Sequence, residues 1–194
     1  ATRHIAVGTH SKLYAMSQTS VIYDITPSGF TPGNADATVG GGFGTGLYGD
    51  GYYGTPRADV GSVTPATTWT LDTWGEYLVG CSNYDGKIYE WQLDTSVPTP
   101  AAVVTNAPTG NTAILVSNER SLFALGAGGN PRRISWSDLE NNTVWAPASD
   151  NLAGSIDLQT GGKIVVAKRV RGQILVLTDI DAHVVSYVGQ PFVY

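Results

Sequence analysis

The chain has 194 residues and a formal net charge of −5, with 14% charged and 10% aromatic residues. This length suffices for one domain with its own core. Few charges, 24 glycines and many Thr, Tyr and Trp residues are typical of an all-β protein and argue against long surface helices. Since Lys and Arg together number only 11, nothing indicates nucleic-acid binding.

The single cysteine, Cys81, excludes an internal disulfide framework and a cysteine-based zinc site. Its position at the end of a predicted strand favours a buried structural thiol. No signal peptide is visible, and no apolar run approaches the roughly 20 residues of a membrane span. The chain begins without Met and stops within a strand-like stretch at 189–194, so we expect a piece of a longer protein.

The first predicted unit contains three short strands, at 3–7, 13–16 and 21–25. They are rich in β-branched and aromatic residues and are separated by turn residues, which is the pattern of antiparallel strands. A Pro-Ser-Gly turn closes the unit.

A loop insertion at about 31–64 follows, in which Gly alternates with aromatic residues. Long loops in compact domains are usually functional or mobile. A phosphate-binding loop is excluded because no Gly-Lys-Ser/Thr motif and no helix pattern follow. One interpretation is a plain surface excursion. The other is an arm that docks on a neighbouring subunit, since Tyr gives much contact area at low entropic cost; its predicted contact residues are Phe43, Tyr48, Tyr52 and Tyr53.

The clearest unit is 69–93, predicted as three strands with a hairpin turn at Asp85-Gly86. Residues 102–104 follow two prolines and are predicted as an edge strand or part of a linker. The next unit has predicted strands at 113–116, 122–125, 133–136 and 144–145, with one helical turn at 138–142. The last has strands at 155–158, 164–166, 174–177 and 184–188.

The same pattern of strand, turn and strand recurs around Val7, Val79, Ala124 and Val176. Beyond the first, longer gap, the spacing is roughly 40–50 residues, which is typical of β-propeller blades. We therefore predict a single propeller-like domain over residues 1–194, made of about four antiparallel blade units that form an incomplete ring or a tightly closed one.

Chemistry-bearing residues are scattered. The acidic candidates lie mostly in or beside turns, where bonding backbone N–H groups is a sufficient role; they are Asp72, Glu76, Asp85, Asp138, Glu140, Asp157, Asp179 and Asp181. The three histidines, His4, His10 and His183, are far apart, and the acidic pair at 179 and 181 lacks the rest of a calcium loop. We predict no catalytic residue, cofactor or metal site, and no enzymatic activity.

The tryptophans support two interpretations. They could stack on sugar rings, or they could pack between blades, which is the commoner use of Trp beside hairpins. The five are Trp69, Trp74, Trp91, Trp136 and Trp145. Exposed rings in a groove favour glycan binding, and rings buried between sheets favour a structural role.

Six segments in this order resemble virion structural proteins of tailed bacteriophages, in particular the propeller-containing nozzle or hub proteins of the tail tip. They lie at 3–14, 23–27, 69–79, 85–91, 134–138 and 187–192, together with the Gly-aromatic tract, and so are spread over nearly the whole length of the chain. The resemblance implies a structural part of the tail, located in the virion, that contacts copies of itself and other virion proteins. It implies no cofactor and no catalysis. One alternative is a lectin-like module that recognises glycans of the host surface. Another is a propeller glycosidase, which requires two facing carboxylates about 5–9 Å apart.

Overall fold

The computed structural model describes residues 3–37, 64–94, 100–189 and 193–194. Within these ranges the chain forms fourteen β-strands and one short 3-10 turn, with no α-helix. The strands form four antiparallel sheets that follow one another along the chain. The prediction of an all-β protein built from four blade-like units is confirmed.

The first sheet has three strands and the second has four, each in sequential order. The first sheet contains β1 (His4–Gly8), β2 (Leu13–Ser17) and β3 (Ile22–Asp24). The second contains β4 (Trp69–Trp74), β5 (Tyr77–Ser82), β6 (Ile88–Trp91) and β7 (Ala102–Val103). The predicted turn at Asp85-Gly86 lies between β5 and β6, with Gly86 at φ 67°, and β7 is an edge strand.

The third sheet has four strands and the fourth has three. The third contains β8 (Ala113–Val116), β9 (Leu122–Leu125), β10 (Arg133–Trp136) and β11 (Gly154–Asp157). The fourth contains β12 (Ile164–Val170), β13 (Gln173–Thr178) and β14 (Ala182–Val185).

Two local predictions between β10 and β11 are wrong. Residues 138–142 form no helical turn but a tight loop closed by a bridge between Asp138 and Asn141. The expected strand at 144–145 is absent because Asn141 accepts hydrogen bonds from the backbone N–H and the hydroxyl of Thr143. Such an Asx turn competes with strand pairing.

Apolar side chains fill the space between each pair of successive sheets. Leu13 and Ala15 of the first sheet pack against Tyr89 and Trp91 of the second. The second and third sheets share a cluster that includes Val79, Cys81, Ile114 and Leu122. The third and fourth share one that includes Phe123, Leu125, Ala167 and Val176. The core is therefore three layers between four stacked sheets.

The stack is a fan in which the first strands of the second, third and fourth sheets converge. Strand β8 contacts both β4 and β12. The carboxylate of Asp72 on β4 accepts a hydrogen bond from Val116 N in the third sheet at 2.9 Å and another from Arg169 Nη2 in the fourth, also at 2.9 Å. One side chain thus joins three sheets at the inner edge, as blades meet around a propeller axis. No core cluster in the described residues joins the first sheet to the fourth, so this propeller-like fan is open.

In three of the sheets, a backbone hydrogen bond formed just after the last strand shows which strands occupy equivalent positions in their sheets. Backbone N–H groups of Ile25, Val104 and Leu158 donate to the carbonyls of Leu13, Ile88 and Arg132 respectively, at 2.9–3.0 Å. Consequently β3 corresponds to β7 and β11, β2 to β6 and β10, and β1 to β5 and β9. The first sheet has no counterpart of β4 and β8 among the described strands, which leaves β1 as its inner edge.

Candidate functional site

The outer face of the first sheet, turned away from the second sheet, is apolar and open to solvent. Two cross-strand rows form it: Ile5, Met16 and Ile22, and then Val7, Tyr14 and Asp24. Ile5 is 60% exposed and Ile22 is 65% exposed. We call these six residues the first face.

The outer face of the fourth sheet has the same character. Its rows are Val166, Leu177 and Ala182, and then Lys168, Leu175 and Val184. Val184 is 60% exposed, whereas Val176, one residue along β13 from Leu175 and on the opposite face, is fully buried against the third sheet. We call these six residues the last face.

Both faces resemble the surfaces that are buried inside the fan. A sheet with one solvated face normally alternates apolar and polar residues, yet β1, β2 and β13 carry apolar residues on both faces. Contiguous apolar patches on a protein surface mark interaction sites. The sequence carried this signal as near-continuous apolar strands, but it did not reveal which faces stay open.

The contact residues predicted from the Gly-aromatic loop, Phe43, Tyr48, Tyr52 and Tyr53, lie outside the described residues. They remain a prediction.

The acidic candidates do not come together in one cleft. Asp72 lies at the inner edge of the fan, whereas Asp157 ends β11, where Arg133 holds it by a two-pronged ion pair at 2.7 and 3.0 Å. These bonds lower the pKa of Asp157. Asp181 lies in the turn before β14, and its carboxylate accepts a hydrogen bond from the Thr178 hydroxyl, which lowers its pKa. Each of these carboxylates has a structural partner of its own.

Among the acidic residues that form an ion pair, Asp85 is the most buried, with 2% of its side chain exposed. It accepts a short hydrogen bond from the Tyr89 hydroxyl and lies 3.2 Å from Lys87 Nζ. Burial raises the pKa of Tyr89, and the hydrogen bond to Asp85 adds to this effect. The pair of Asp85 and Tyr89 therefore stabilises the turn between β5 and β6.

Cys81 is fully buried, and this desolvation raises the pKa of its thiol to about 12.

The histidines are also separated. His4 packs edge-on against Trp91 between the first and second sheets, while His183 lies on β14 and contacts Asp181 and Thr160. Within the described ranges, no group of three or more His, Cys, Asp or Glu side chains could hold a metal ion.

The tryptophans mostly serve as packing between sheets. Trp74, Trp91 and Trp136 are at most 8% exposed and belong to the core clusters. Trp69 and Trp145 are partly buried, and their indole N–H groups donate to backbone carbonyls at 2.8 and 2.7 Å. The arrangement that glycan stacking requires, with several exposed rings along one groove, is not present in the described part of the chain.

The fold and these two faces define an open, propeller-like all-β protein. No known protein family, curated protein or solved structure matches the chain. In the described part of the chain, no helical segment has the length and apolar character that crossing a membrane requires.

Proposed function

We propose that this chain is a structural component of a bacteriophage tail, at the tip, nozzle or hub, that acts through subunit contacts. The observation that carries the proposal is the pair of apolar faces at opposite ends of the fan. The ordered resemblance of the sequence to tail-tip proteins indicates the kind of assembly. In this proposal the protein resides in the virion and contacts other virion proteins and copies of itself.

The internal packing of the fan suggests how such contacts form. Each successive sheet packs its apolar face on the next, three times in a row. The last face of one copy can continue this series by receiving the first face of another. Contacts between two different faces are heterologous, and such contacts build rings or filaments.

Glycan recognition is the alternative from the sequence. The burial of Trp74, Trp91 and Trp136 between sheets supports the structural role instead, since rings in the core cannot stack on sugars.

Peptide mass spectrometry of purified virions, from the phage or lysogen that encodes the chain, tests the proposal. We expect peptides of this chain in intact particles and in the isolated tail fraction at a fixed ratio to other tail proteins. Their absence from intact virions, with the chain present in the infected-cell lysate, would overturn it.

A further inference from the structure

The first sheet has a vacant position at its inner edge. In the second and third sheets this position holds β4 and β8, which pair with β5 and β9. The corresponding strand β1 pairs only with β2 among the described residues. An unpaired strand edge presents a row of backbone donors and acceptors that can add another strand.

A cleft of about 170 Å³ adjoins this edge, between the first sheet and the turn that joins β4 to β5. His4 and Ala6 of β1 line one side, and Thr73, Leu78 and Trp91 line the other. The buried atoms His4 Nδ1 and Trp91 Nε1 have no hydrogen-bond partner in the described structure. Buried polar atoms without partners are uncommon, so the site is incomplete in both its packing and its hydrogen bonds.

We propose that the free edge of β1 binds a single extended segment donated by another polypeptide of the assembly, which completes the first sheet. This proposal rests on the proposed function, because it names one of the subunit contacts. The segment is a strand of four to six residues, the length of β8 and β4. It is antiparallel to β1, and alternate apolar side chains point toward the second sheet.

A whole sheet does not fit at this edge. The inner strands of the other three sheets meet one another, close enough for Asp72 to bond both Val116 and Arg169, and the repeat assigns the vacant position of the first sheet to this inner set of strands. A second copy that paired its own β1 with this edge would bring β2 and β3 into the same space. Each of the fourteen described strands already belongs to a sheet, so a second copy has none to spare in this part of the chain. The described part of this chain, and of a second copy, therefore offers no donor strand.

The repeat fixes the register of the added strand. Leu125 corresponds to Ala6, because their partners on the following strand, Ile134 and Ala15, occupy equivalent positions. By the same count His4 corresponds to Phe123, which pairs with Leu115 on β8. A residue in the place of Leu115 therefore lies opposite His4 and turns its side chain toward the cleft.

The experiment supplies the missing strand within the same chain. A copy of residues 112–121, which contain β8 and the turn after it, is fused directly ahead of Arg3. Arg3 then follows the copied segment as Leu122 follows the original. Tethering gives an effective concentration of order mM, so even a weak strand contact is populated. One control carries Asp in place of the copied leucine, and a second carries a Gly-Ser extension of equal length.

We expect hydrogen exchange of the β1 amides to slow at least tenfold in the fused chain and in neither control. Unchanged β1 exchange would overturn the proposal, as would equal slowing by the Gly-Ser extension. If the fusion abolished self-association of the chain, the occupant would be the edge of a second copy, which also overturns it. Peptides of the chain in virions alongside unchanged β1 exchange would remove this inference and leave the proposed function intact.

Discussion

The carboxylate of Asp72 joins three sheets, so its removal tests the fan geometry. The Asp72 side chain is 12% exposed and the Arg169 side chain is 40% exposed. A hydrogen bond from a backbone N–H to a charged group contributes about 1.5–3 kcal/mol, which applies to the bond from Val116. A partly exposed ion pair contributes only about 0.5–1 kcal/mol, which applies to Arg169. Asp72→Ala should therefore lower the free energy of unfolding by roughly 2–4 kcal/mol.

Urea and thermal unfolding of Asp72→Ala, Arg169→Met and the double variant provide the measurement. For a chain of this size about 1 kcal/mol corresponds to roughly 2–4 °C, so we expect Asp72→Ala to lower Tm by roughly 5–15 °C. Arg169→Met should cost about 0.5–1 kcal/mol, and less when Asp72 is already absent. The matched variant Asp72→Asn keeps an acceptor for Val116 N and should cost less than Asp72→Ala.

Two results would refute this reasoning. If Asp72→Ala costs less than about 1 kcal/mol, the bond to Val116 contributes little to the joint. If Arg169→Met costs as much as Asp72→Ala, the joint is chiefly an ion pair between the second and fourth sheets.

Three further predictions concern the packing, the thiol and the ion pairs. Gly8→Ala places a Cβ 2.2 Å from the Trp69 ring, so the free energy of unfolding should fall by about 1–3 kcal/mol. Gly161→Ala is the control, because the space around Gly161 is open. Equal losses for the two variants would contradict the packing of the first two sheets. The buried thiol of Cys81, with its pKa raised to about 12, should react with an aromatic disulfide reagent at pH 8 only after urea unfolds the chain, and rapid native reaction would show that the site is open. Because folding lowers the pKa of Asp157, this carboxylate stabilises the folded chain above its unfolded pKa of about 3.9, and this stabilisation is lost as pH falls through the folded pKa. Asp157→Asn should therefore flatten the acid limb of a stability–pH profile. An unchanged acid limb would contradict the pairing of Asp157 with Arg133.

The strands were predictable because β-branched and aromatic runs alternate with turn residues. The hairpin at Asp85-Gly86 is the clearest case, since the turn needs a positive φ that Gly adopts without strain. The repeat was predictable too, although Val7 corresponds to Gly80 rather than to Val79 in the strand register. The loop between β5 and β6 is one residue longer than that between β1 and β2, which shifts the alignment by one position.

The candidate site was not predictable in the same way. Strand β1 and strand β5 have similar local sequences, yet Val7 is 50% exposed whereas Gly80, at the equivalent position of β5, is buried. The difference comes from the order of the sheets, because the second sheet has a neighbour on each side and the first has only one. The vacancy beside β1 likewise depends on long-range pairing, which a local pattern does not encode.

The mass of the unmodified chain by light scattering, over a concentration series, tests the central claim that the first and last faces are subunit contacts. We expect the mass to rise above the 20.4 kDa of one chain as concentration increases. Ile22→Asp on the first face and Val184→Asp on the last face should each prevent the rise, because a heterologous contact needs both faces. Leu139→Asp, at an exposed residue of the loop after β10, should leave it unchanged. A strict monomer at all concentrations, or an effect of only one face, would contradict the account.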